Sequence, residues 1–493
     1  MFPLENHQLI VGLFSIFLVN YLIKFLIRLW RFPPGPLGFP IVGYLPFIKK
    51  DTHKQFTELA QKYGPVFSLR IGSFNVVVIN GWTAIKEAFA DDNLLARPNE
   101  DYFTIVGDQS IAEMSGDKWR EQRRVTLTTL RNVGLGKTKM EETIREEINC
   151  FIEKIKKETG KPLDAGELLS TSVPNNISTL LFGHKFDYDD PRNIELESNF
   201  RKLQVSGSFI NGVVYMPWLA KLILRFKFLF FKKILDALAA IEKCISDEID
   251  QHQQSDEEIV DYVDGFLQEM KKRSDDNETT FTIKTLKRNA LTFYSAGSDT
   301  IRFTLEWMMQ ILVAQPEFQD KIREEIYQVL GRERSPDNID RQLMPYTMAF
   351  IYEAQRYSSI VPINLPRRTT KETIITGMTI PEDAVVLFNF WSVHRDENLY
   401  PDPEKFDPKR FLNEDQSKAI KPPYLLTFSG GKRVCPGESF ANLQLFLYLV
   451  NIVQNFNIKS ASEGEISLKG NYMFTRFIKD PVKLIFTEIN ADC

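Results

Sequence analysis

The feature that most constrains this chain is a ten-residue run near its carboxyl end, FSGGKRVCPG at residues 428–437. Gly431 and Gly437 allow the backbone to come close to a neighbouring group, and Pro436 stiffens the turn. Cys435 lies inside the same run. The run therefore predicts a tight loop that presents one sulfur atom to its surroundings.

The remaining cysteines and the histidines offer no second site of this kind. The other cysteines are Cys150, Cys244 and Cys493, which are widely separated and form no CxxC pair. This scatter excludes a disulfide-stapled fold and a zinc ribbon, and it is typical of a reducing compartment. The five histidines are dispersed as well, without an HExxH motif. If the chain binds a metal, we expect one cysteine to hold it.

A cysteine in such a loop is suited to bind haem iron as a thiolate. Backbone N–H groups directed at the sulfur stabilise its charge, and iron keeps it deprotonated. Phe428 would shield the sulfur, and Arg433 would pair with a haem propionate. The alternative is a buried structural cysteine beside a glycine-rich turn. The offsets of Phe, Gly, Arg, Cys and Gly favour the first interpretation, because they resemble the haem-binding loop of the cytochromes P450.

Two blocks ahead of this loop resemble the same family. Glu353 and Arg356 lie three residues apart, so they share one face of a helix and can form an ion pair. Arg410 follows within a Pro-Lys-Arg-Phe run. The resemblance implies that these three side chains form a buried charge network beneath the haem loop, with a structural rather than a catalytic role.

A long helix is predicted from about residue 284 to 315, and AGSDT at residues 296–300 lies within it. Glycine in the middle of a helix normally costs about 1 kcal/mol relative to alanine. In the family that the sequence resembles, this helix crosses over the haem, and its Gly and Thr lie at a local opening where oxygen binds. The resemblance implies that Ala296 contacts the cofactor, that Thr300 hydrogen-bonds oxygen and that Asp299 helps to relay protons through water.

Further basic residues resemble the groups that bind the haem propionates. Trp119 and Arg123 lie four residues apart and share a helical face. They resemble the family's propionate-binding pair, and Arg97 and Arg367 resemble its other propionate partners. The set implied for haem b (iron protoporphyrin IX) comprises Arg97, Trp119, Arg123, Ala296, Arg367, Phe428, Arg433 and Cys435, with Cys435 as the iron ligand.

The resemblance covers nearly the whole chain and implies a mainly α-helical fold with small β-sheets, the cytochrome P450 fold with an N-terminal anchor helix. Local patterns agree with it. β-Branched runs at residues 66–70 and 75–79 predict a hairpin, and long amphipathic stretches between about 82 and 330 predict helices. Short strands are predicted again between residues 365 and 388.

The first thirty residues are predicted to form a membrane anchor. Residues 9–23 are almost wholly apolar but rise only ~22 Å as a helix, whereas the addition of residues 24–30 gives ~33 Å, enough for a ~30 Å hydrocarbon core. Lys24 and Arg28 would then snorkel to the interface. The basic residues follow the apolar run, which favours an uncleaved anchor over a removed signal peptide and a cytosolic position for the rest of the chain.

A proline-rich segment separates this anchor from everything downstream. We therefore divide the chain into an N-terminal membrane anchor (1–31), a Pro-rich hinge (32–48) and a single haem-thiolate monooxygenase domain (49–493). The expected location is the endoplasmic reticulum membrane, with one anchor and a cytosolic catalytic domain.

The resemblance implies a haem-thiolate monooxygenase that inserts one oxygen atom from O2 into a lipophilic substrate. Its partners would be NADPH-cytochrome P450 reductase and cytochrome b5, since the chain has no GxGxxG motif for binding NADPH itself. Basic residues near the sulfur side of the haem, Lys118, Arg120, Arg124 and Lys432, would dock the reductase. A net charge of −4 leaves no basic excess for nucleic-acid binding, which is not expected.

Two other functions are alternatives to this one. A haem-thiolate isomerase or dehydratase would act on a lipid peroxide without a reductase, but such enzymes need no proton relay of the Asp299–Thr300 kind. A non-catalytic haem sensor would not need the motifs of the oxygen side in addition to the motifs of the thiolate side. Substrate choice among fatty acids, steroids and xenobiotics, and hydroxylation versus epoxidation, stay open. The candidate pocket walls, largely apolar, are residues 102–114, 200–213, 293–296, 361–365 and 473–475.

Overall fold

A computed structural model describes residues 4–99, 102, 110–134, 138–226, 229–252, 259–276 and 278–489. Across these residues the chain is mainly helical, as the sequence predicts. The α-helices are α1 (Leu4–Arg31), α2 (Thr52–Tyr63), α3 (Trp82–Ala90), α4 (Gly116–Asn132), α5 (Thr138–Lys157), α6 (Ala165–Phe182), α7 (Pro191–Val214), α8 (Pro217–Phe226), α9 (Leu229–His252), α10 (Tyr262–Lys272), α11 (Ile283–Ala314), α12 (Pro316–Leu330), α13 (Pro345–Ser358), α14 (Trp391–His394) and α15 (Glu438–Asn455).

The strands are short and form small sheets. They are β1 (Val66–Ile71), β2 (Phe74–Asn80), β3 (Pro162–Leu163), β4 (Arg367–Arg368), β5 (Thr373–Ile375), β6 (Met378–Ile380), β7 (Val385–Asn389), β8 (Phe456–Ser460), β9 (Gly470–Tyr472), β10 (Arg476–Ile478) and β11 (Leu484–Glu488). The largest sheet has the order β1-β2-β7-β4, in which β2 and β7 are parallel and the other pairs antiparallel. A three-stranded sheet has the order β3-β11-β8, and two hairpins, β5-β6 and β9-β10, stand apart.

The predicted hairpin near residue 72 is confirmed, and its turn requires glycine. Gly72 has a φ of +54°, in the region that side chains disfavour. A Cβ atom there would lie 2.1 Å from the carbonyl oxygen of Tyr215, which also accepts a hydrogen bond from the Ser73 N–H. The turn is therefore pressed against the end of α7.

Helix α11 runs through the largest apolar core and packs against α6, α9, α13 and α15. The predicted helix at 284–315 is confirmed, and Gly297 has a packing role within it. A Cβ atom on Gly297 would lie 2.4 Å from Cδ1 of Ile177 on α6. The glycine thus lets two helices approach closely, which offsets its poor helix propensity. The local opening expected here is not observed, because α11 is unbroken from Ile283 to Ala314.

The proline-rich segment lies along strand β1. The Ser68 hydroxyl donates a hydrogen bond to the carbonyl of Pro33 at 2.6 Å, and the Ser68 N–H donates to the carbonyl of Pro34 at 3.0 Å. A Cβ atom on Gly35 would lie 1.7 Å from the Ser68 carbonyl oxygen. The proposed division into anchor, hinge and catalytic domain stays a prediction. Within the described residues, no helix is both long and apolar enough to cross a membrane.

A buried ion pair connects α9 to α10. Nε2 of His252, the last residue of α9, lies 2.7 Å from Oδ2 of Asp261, which is fully buried and accepts a hydrogen bond from the Asp264 N–H at the start of α10. Nδ1 of His252 lies 3.1 Å from the Glu248 carbonyl oxygen, so both ring nitrogens face acceptors. The hydrogen bond to Asp261 raises the pKa of His252 to about 9.

We expect this ion pair to make stability depend on pH. A histidine whose pKa is higher in the folded than in the unfolded chain contributes stability that is complete below about pH 6.5 and is lost towards pH 9. His252→Gln should therefore destabilise the protein by up to about 3 kcal/mol at pH 6 and by much less above pH 9. Denaturant unfolding at both pH values measures this.

His53→Gln provides the matched control, because burial lowers the pKa of His53 to about 3 and keeps its ring neutral throughout this range. Because the unfolded chain protonates this histidine at pH 6, His53→Gln should be less destabilising at pH 6 than at pH 9, by about 1 kcal/mol, which is the opposite trend to that of His252→Gln. A pH-independent effect of His252→Gln would show that the ion pair does not contribute.

Candidate active site

The predicted cysteine loop joins a 3-10 turn, Gly431–Arg433, to the start of α15. The Cys435 N–H donates a hydrogen bond to the Phe428 carbonyl oxygen at 2.9 Å and closes the loop. The Gly437 N–H is directed at the Cys435 sulfur and favours the thiolate. The loop is therefore held by its own backbone, with the sulfur at its centre.

The glycines of this loop are required for a reason that the sequence did not indicate. A Cβ atom on Gly430 would lie 2.6 Å from Cε2 of Phe89, and one on Gly431 would lie 2.8 Å from the Phe89 carbonyl oxygen. Gly431 also has a φ of +65°. The expected close approach therefore involves Phe89 on α3. A Cβ atom on Gly437 would make only an ordinary 3.8 Å contact with the Cys435 sulfur.

The Cys435 side chain is accessible although protein surrounds it on most sides. The residue is exposed to solvent. Burial nevertheless raises the pKa of its thiol, opposed by the Gly437 N–H and the positive charge of Arg123. Because the side chain is exposed and yet burial raises the pKa of its thiol, the sulfur borders an enclosed space rather than the outer surface. A metal ion in that space would lower the pKa of the thiol and hold it as thiolate.

Helix α4 brings two of the predicted residues, Trp119 and Arg123, to the loop. The guanidinium of Arg123 donates a hydrogen bond to the Val434 carbonyl oxygen at 2.7 Å. The guanidinium of Arg433 lies 3.7 Å from the centre of the Trp119 ring. Trp119 and Arg123 thus contact the two residues that precede Cys435. Their role in binding a propionate stays a prediction.

Arg97, Arg367 and Arg433 form a cluster of buried positive charge. Their exposed fractions are 8%, 1% and 7%. Arg97 donates hydrogen bonds to the carbonyl oxygens of residues 112, 365 and 366, and Arg433 donates to those of residues 95 and 114. Arg367 lies 3.5 Å from two carbonyl oxygens, which is long for a hydrogen bond, and its Nε has no hydrogen-bond partner among the described residues.

Burial lowers the pKa values of all three guanidiniums, and the charges of neighbouring arginines add to this effect, while Glu113 opposes it at Arg97. The pKa is about 10 for Arg97, about 9 for Arg367 and about 8 for Arg433, where Arg97 and Arg367 add to the effect of burial. Among the described side chains, none of the three forms a carboxylate ion pair within 4.0 Å. Such a cluster fits an anionic group that accepts several guanidinium hydrogen bonds. Two haem propionates have this chemistry, so the residues present fit haem.

The residues predicted on the oxygen side lie on α11. Ala296 is exposed in the middle of a helix that is otherwise largely buried, so it borders an internal space. The Thr300 hydroxyl donates a hydrogen bond to the Ala296 carbonyl oxygen at 2.8 Å. Oδ1 of Asp299 lies 2.9 Å from Nη2 of Arg302, an ion pair that the sequence analysis did not include.

The predicted charge network is present. The guanidinium of Arg356 donates two hydrogen bonds to the Glu353 carboxylate, at 2.6 and 2.8 Å, and both side chains are fully buried. Nε of Arg410 lies 3.4 Å from Oε1 of Glu353. Arg356 also donates to the carbonyl oxygens of His394 and Pro403, so it connects α13 to the segment that leads to the cysteine loop.

Two groups of residues escaped the sequence analysis. Phe89 lies far from the cysteine loop in sequence, and nothing local indicates that it contacts Gly430. The charges of Asp299, Arg302 and Glu306 at helical spacing could have been noticed, whereas the approach of Glu197 from α7 could not. Of the candidate pocket walls, residues 103–109, including Phe103 and Ile105, lie outside the described residues, as do the side chains of residues 204–211.

Fold and site together define a haem protein with a cysteine as the candidate iron ligand. A family model described as cytochrome P450 matches residues 33–486. Cytochrome P450 2H2 of Gallus gallus is 34% identical over 475 residues, which cover 92% of this chain and 94% of that protein. Cytochrome P450 2C8 of Homo sapiens is 34% identical over 457 residues, 89% of this chain and 91% of that protein. The chain belongs to the cytochrome P450 family.

Membership of this family determines the class of reaction. The chain is a monooxygenase, an oxidoreductase that oxidises lipophilic substrates, and its cofactor is haem b. The mainly α fold with small sheets agrees with this assignment. A third relative, cytochrome P450 2E1 of Oryctolagus cuniculus, is 34% identical over 450 residues, 88% of this chain and 89% of that protein.

Proposed function

We propose that Cys435 is the thiolate ligand of the haem iron and that the arginine cluster binds the propionates. The observation that carries this proposal is the buried positive charge of Arg97, Arg367 and Arg433 around the space beside the cysteine loop, where no described carboxylate lies within 4.0 Å of these guanidiniums. Trp119 stacks on Arg433 and keeps its guanidinium oriented. Arg123 holds the loop through the Val434 carbonyl, and the Phe428 carbonyl oxygen accepts the hydrogen bond from the Cys435 N–H that closes the loop.

Haem bound here supplies an iron centre at which molecular oxygen is activated, and a thiolate ligand favours cleavage of the O–O bond. The residues of the chain then have separate tasks. Cys435 supplies electron density, Ala296 leaves room for oxygen and substrate, and Thr300 offers a hydroxyl that hydrogen-bonds oxygen. Asp299 passes protons towards Thr300 through water.

The electrons come, in this proposal, from NADPH through NADPH-cytochrome P450 reductase, with cytochrome b5 as a second partner. Lys118, Arg120 and Arg124 are exposed on α4, the helix that contacts the cysteine loop. Lys432 is exposed in the loop itself and forms an ion pair with Asp92 at 2.6 Å. A positive surface on this side suits docking of an acidic reductase surface.

We further propose an endoplasmic reticulum location, with the N-terminal segment as anchor and the catalytic domain in the cytosol. The apolar run at residues 9–23 followed by basic residues supports this. The reaction is hydroxylation or epoxidation of a fatty acid, steroid or xenobiotic. Consumption of NADPH with purified reductase, coupled to oxidised product, tests the proposal. Conversion of a lipid peroxide without reductase or oxygen would favour the isomerase or dehydratase instead.

Thr300→Ala tests the assignment of the oxygen side. The helix should persist, because alanine has the higher helix propensity. Haem content and substrate-binding spectra should therefore stay near those of the wild type, while more of the NADPH oxidised yields hydrogen peroxide and less yields product. A proton-transfer role is worth ~10²- to 10⁴-fold, and water substitutes for part of it, so the loss of product should fall at or below this range.

Thr304→Ala is the control, because Thr304 makes the same kind of hydroxyl-to-carbonyl hydrogen bond one turn further along, to Thr300, at 2.7 Å. It should leave the ratio of product to NADPH unchanged. Full product yield in Thr300→Ala would mean that Thr300 has no role in the reaction beyond forming the helix. Loss of haem in this variant would mean that its role is structural.

A further inference from the structure

One face of α11 carries a buried cluster of ionisable side chains. Asp299, Arg302 and Glu306 are spaced three and four residues apart and so project from the same side of the helix. Nη2 of Arg302 lies 2.9 Å from Oδ1 of Asp299, and its Nε lies 3.9 Å from Oε1 of Glu306. The Arg302 side chain is 7% exposed and that of Glu306 is 14% exposed. The guanidinium is therefore shared between two carboxylates away from bulk water.

Other elements add acidic groups to this cluster. Glu197 of α7 interacts electrostatically with Arg302 and Asp299, and Arg201, one turn further along α7, is exposed. Asp164, which caps the start of α6, faces Glu306. One oxygen of each carboxylate lies about 3 Å from the position that a Cβ atom on Gly166 would occupy, at 3.1 and 3.0 Å respectively.

Two further groups that can lose a proton border the cluster from the other end. The Tyr294 hydroxyl, on α11, is buried and interacts with Glu197 and Asp299. Cys244, on α9, interacts in turn with Tyr294. Burial raises the pKa of both groups, so neither carries a charge at neutral pH. The charge of the cluster is therefore set by its carboxyl groups and arginines.

The numbers of opposite charges in this cluster do not balance. One buried guanidinium faces Asp299, Glu306 and Glu197, with Asp164 beyond them, while Arg201 is hydrated at the surface. Ionisation of every carboxyl would leave excess negative charge in a poorly hydrated place, which is costly. Burial raises the pKa values of Glu197 and Glu306 to about 7, and the charge of Asp299 adds to the effect at both. At neutral pH, these two glutamates hold protons for part of the time.

The cluster lies next to the residues that are proposed to supply protons to the reaction. Asp299 precedes Thr300, the proposed oxygen-side residue, and a monooxygenase consumes two protons for each oxygen atom that it inserts while the other becomes water. We propose that Glu197 and Glu306, held by Arg302, store protons from solvent and pass them through Asp299 to the oxygen side. They act as positioning residues through Asp299, and this inference rests on the proposed role of Asp299 and Thr300.

The test uses the holoenzymes of Glu197→Gln, Glu306→Gln and the double variant. Infrared difference spectra between pH 6 and pH 8, without turnover, should show loss of a protonated-carboxyl C=O band in the wild type. The double variant should lack that part of the signal. Product formed per NADPH should fall several-fold in the variants, and its dependence on pH between 6 and 8 should flatten, because glutamine releases no proton.

Glu325→Gln is the matched control. Burial also raises the pKa of Glu325, but its carboxylate accepts hydrogen bonds from Tyr346 and Thr347 on a different helix pair. It should leave product per NADPH unchanged, and it should also leave unchanged the part of the infrared signal that belongs to Glu197 and Glu306.

Persistence of the full infrared signal in the double variant would overturn the proposal, because the cluster would then hold no proton. Loss of the infrared signal with an unchanged yield of product per NADPH would overturn the role of the cluster in the reaction. The proposed function is tested separately, by Thr300→Ala. If the double variant loses haem, the same measurements are made on the two single variants.

Discussion

Cys435→Ala is expected to abolish turnover and to remove the absorption that a thiolate ligand gives to the carbon-monoxide complex. No other described cysteine lies in a comparable loop, since Cys150 is on α5 and Cys244 on α9. The arginine cluster remains in the variant, so some haem should still bind. Cys435→His should retain more haem but oxidise substrate poorly, because imidazole donates less electron density than a thiolate.

Cys150→Ala is the control for this experiment, because Cys150 is an exposed cysteine outside the site. It should leave both the spectrum and the turnover unchanged. Survival of the thiolate-type band in Cys435→Ala would mean that another residue is the ligand.

The largest effect on stability is expected from Glu353→Ala. The substitution leaves Arg356 fully buried without its carboxylate and removes the acceptor of the Asp407 N–H hydrogen bond, which measures 2.8 Å. Removal of one partner of a buried ion pair typically costs about 3–5 kcal/mol. We therefore expect a loss of this size in the free energy of unfolding, measured with denaturant, together with a low yield of holoprotein.

Glu404→Ala offers a matched comparison. Glu404 also pairs with a buried arginine, Arg395, at 3.0 Å, but its own side chain is 71% exposed. An exposed carboxylate contributes about 0–1 kcal/mol. If Glu353→Ala destabilises the protein no more than Glu404→Ala does, the network beneath the loop is not a structural requirement.

Local sequence patterns predicted much of the fold because the relevant interactions are local. The hairpin of β1 and β2 follows from β-branched runs on either side of Gly72, and α11 follows from helical periodicity over thirty residues. The ion pair of Glu353 and Arg356 is likewise set by helical spacing. Arg410 and the arginine cluster were inferred from the resemblance, because their partners lie far away in the chain.

The parts that could not be predicted depend on contacts between distant segments. Gly431 was expected to let the backbone come close to a neighbouring group, but the sequence could not indicate that Phe89 on α3 is such a neighbour. Asp299 was expected to act with Thr300, but its ion pair with Arg302 and the approach of Glu197 depend on the packing of α7 against the helical core. Sequence spacing identifies the residues of a site more readily than the groups that surround them.

The hydrogen bond from Thr300 to Ala296 limits what this side chain can offer. A hydroxyl has one hydrogen, and in the resting arrangement that hydrogen points at the helix backbone. The oxygen atom of Thr300 is then available to other molecules only as an acceptor, for example of a hydrogen bond from water. To become a donor, the side chain must release the Ala296 carbonyl, so each change of role exchanges one hydrogen bond for another without disrupting α11.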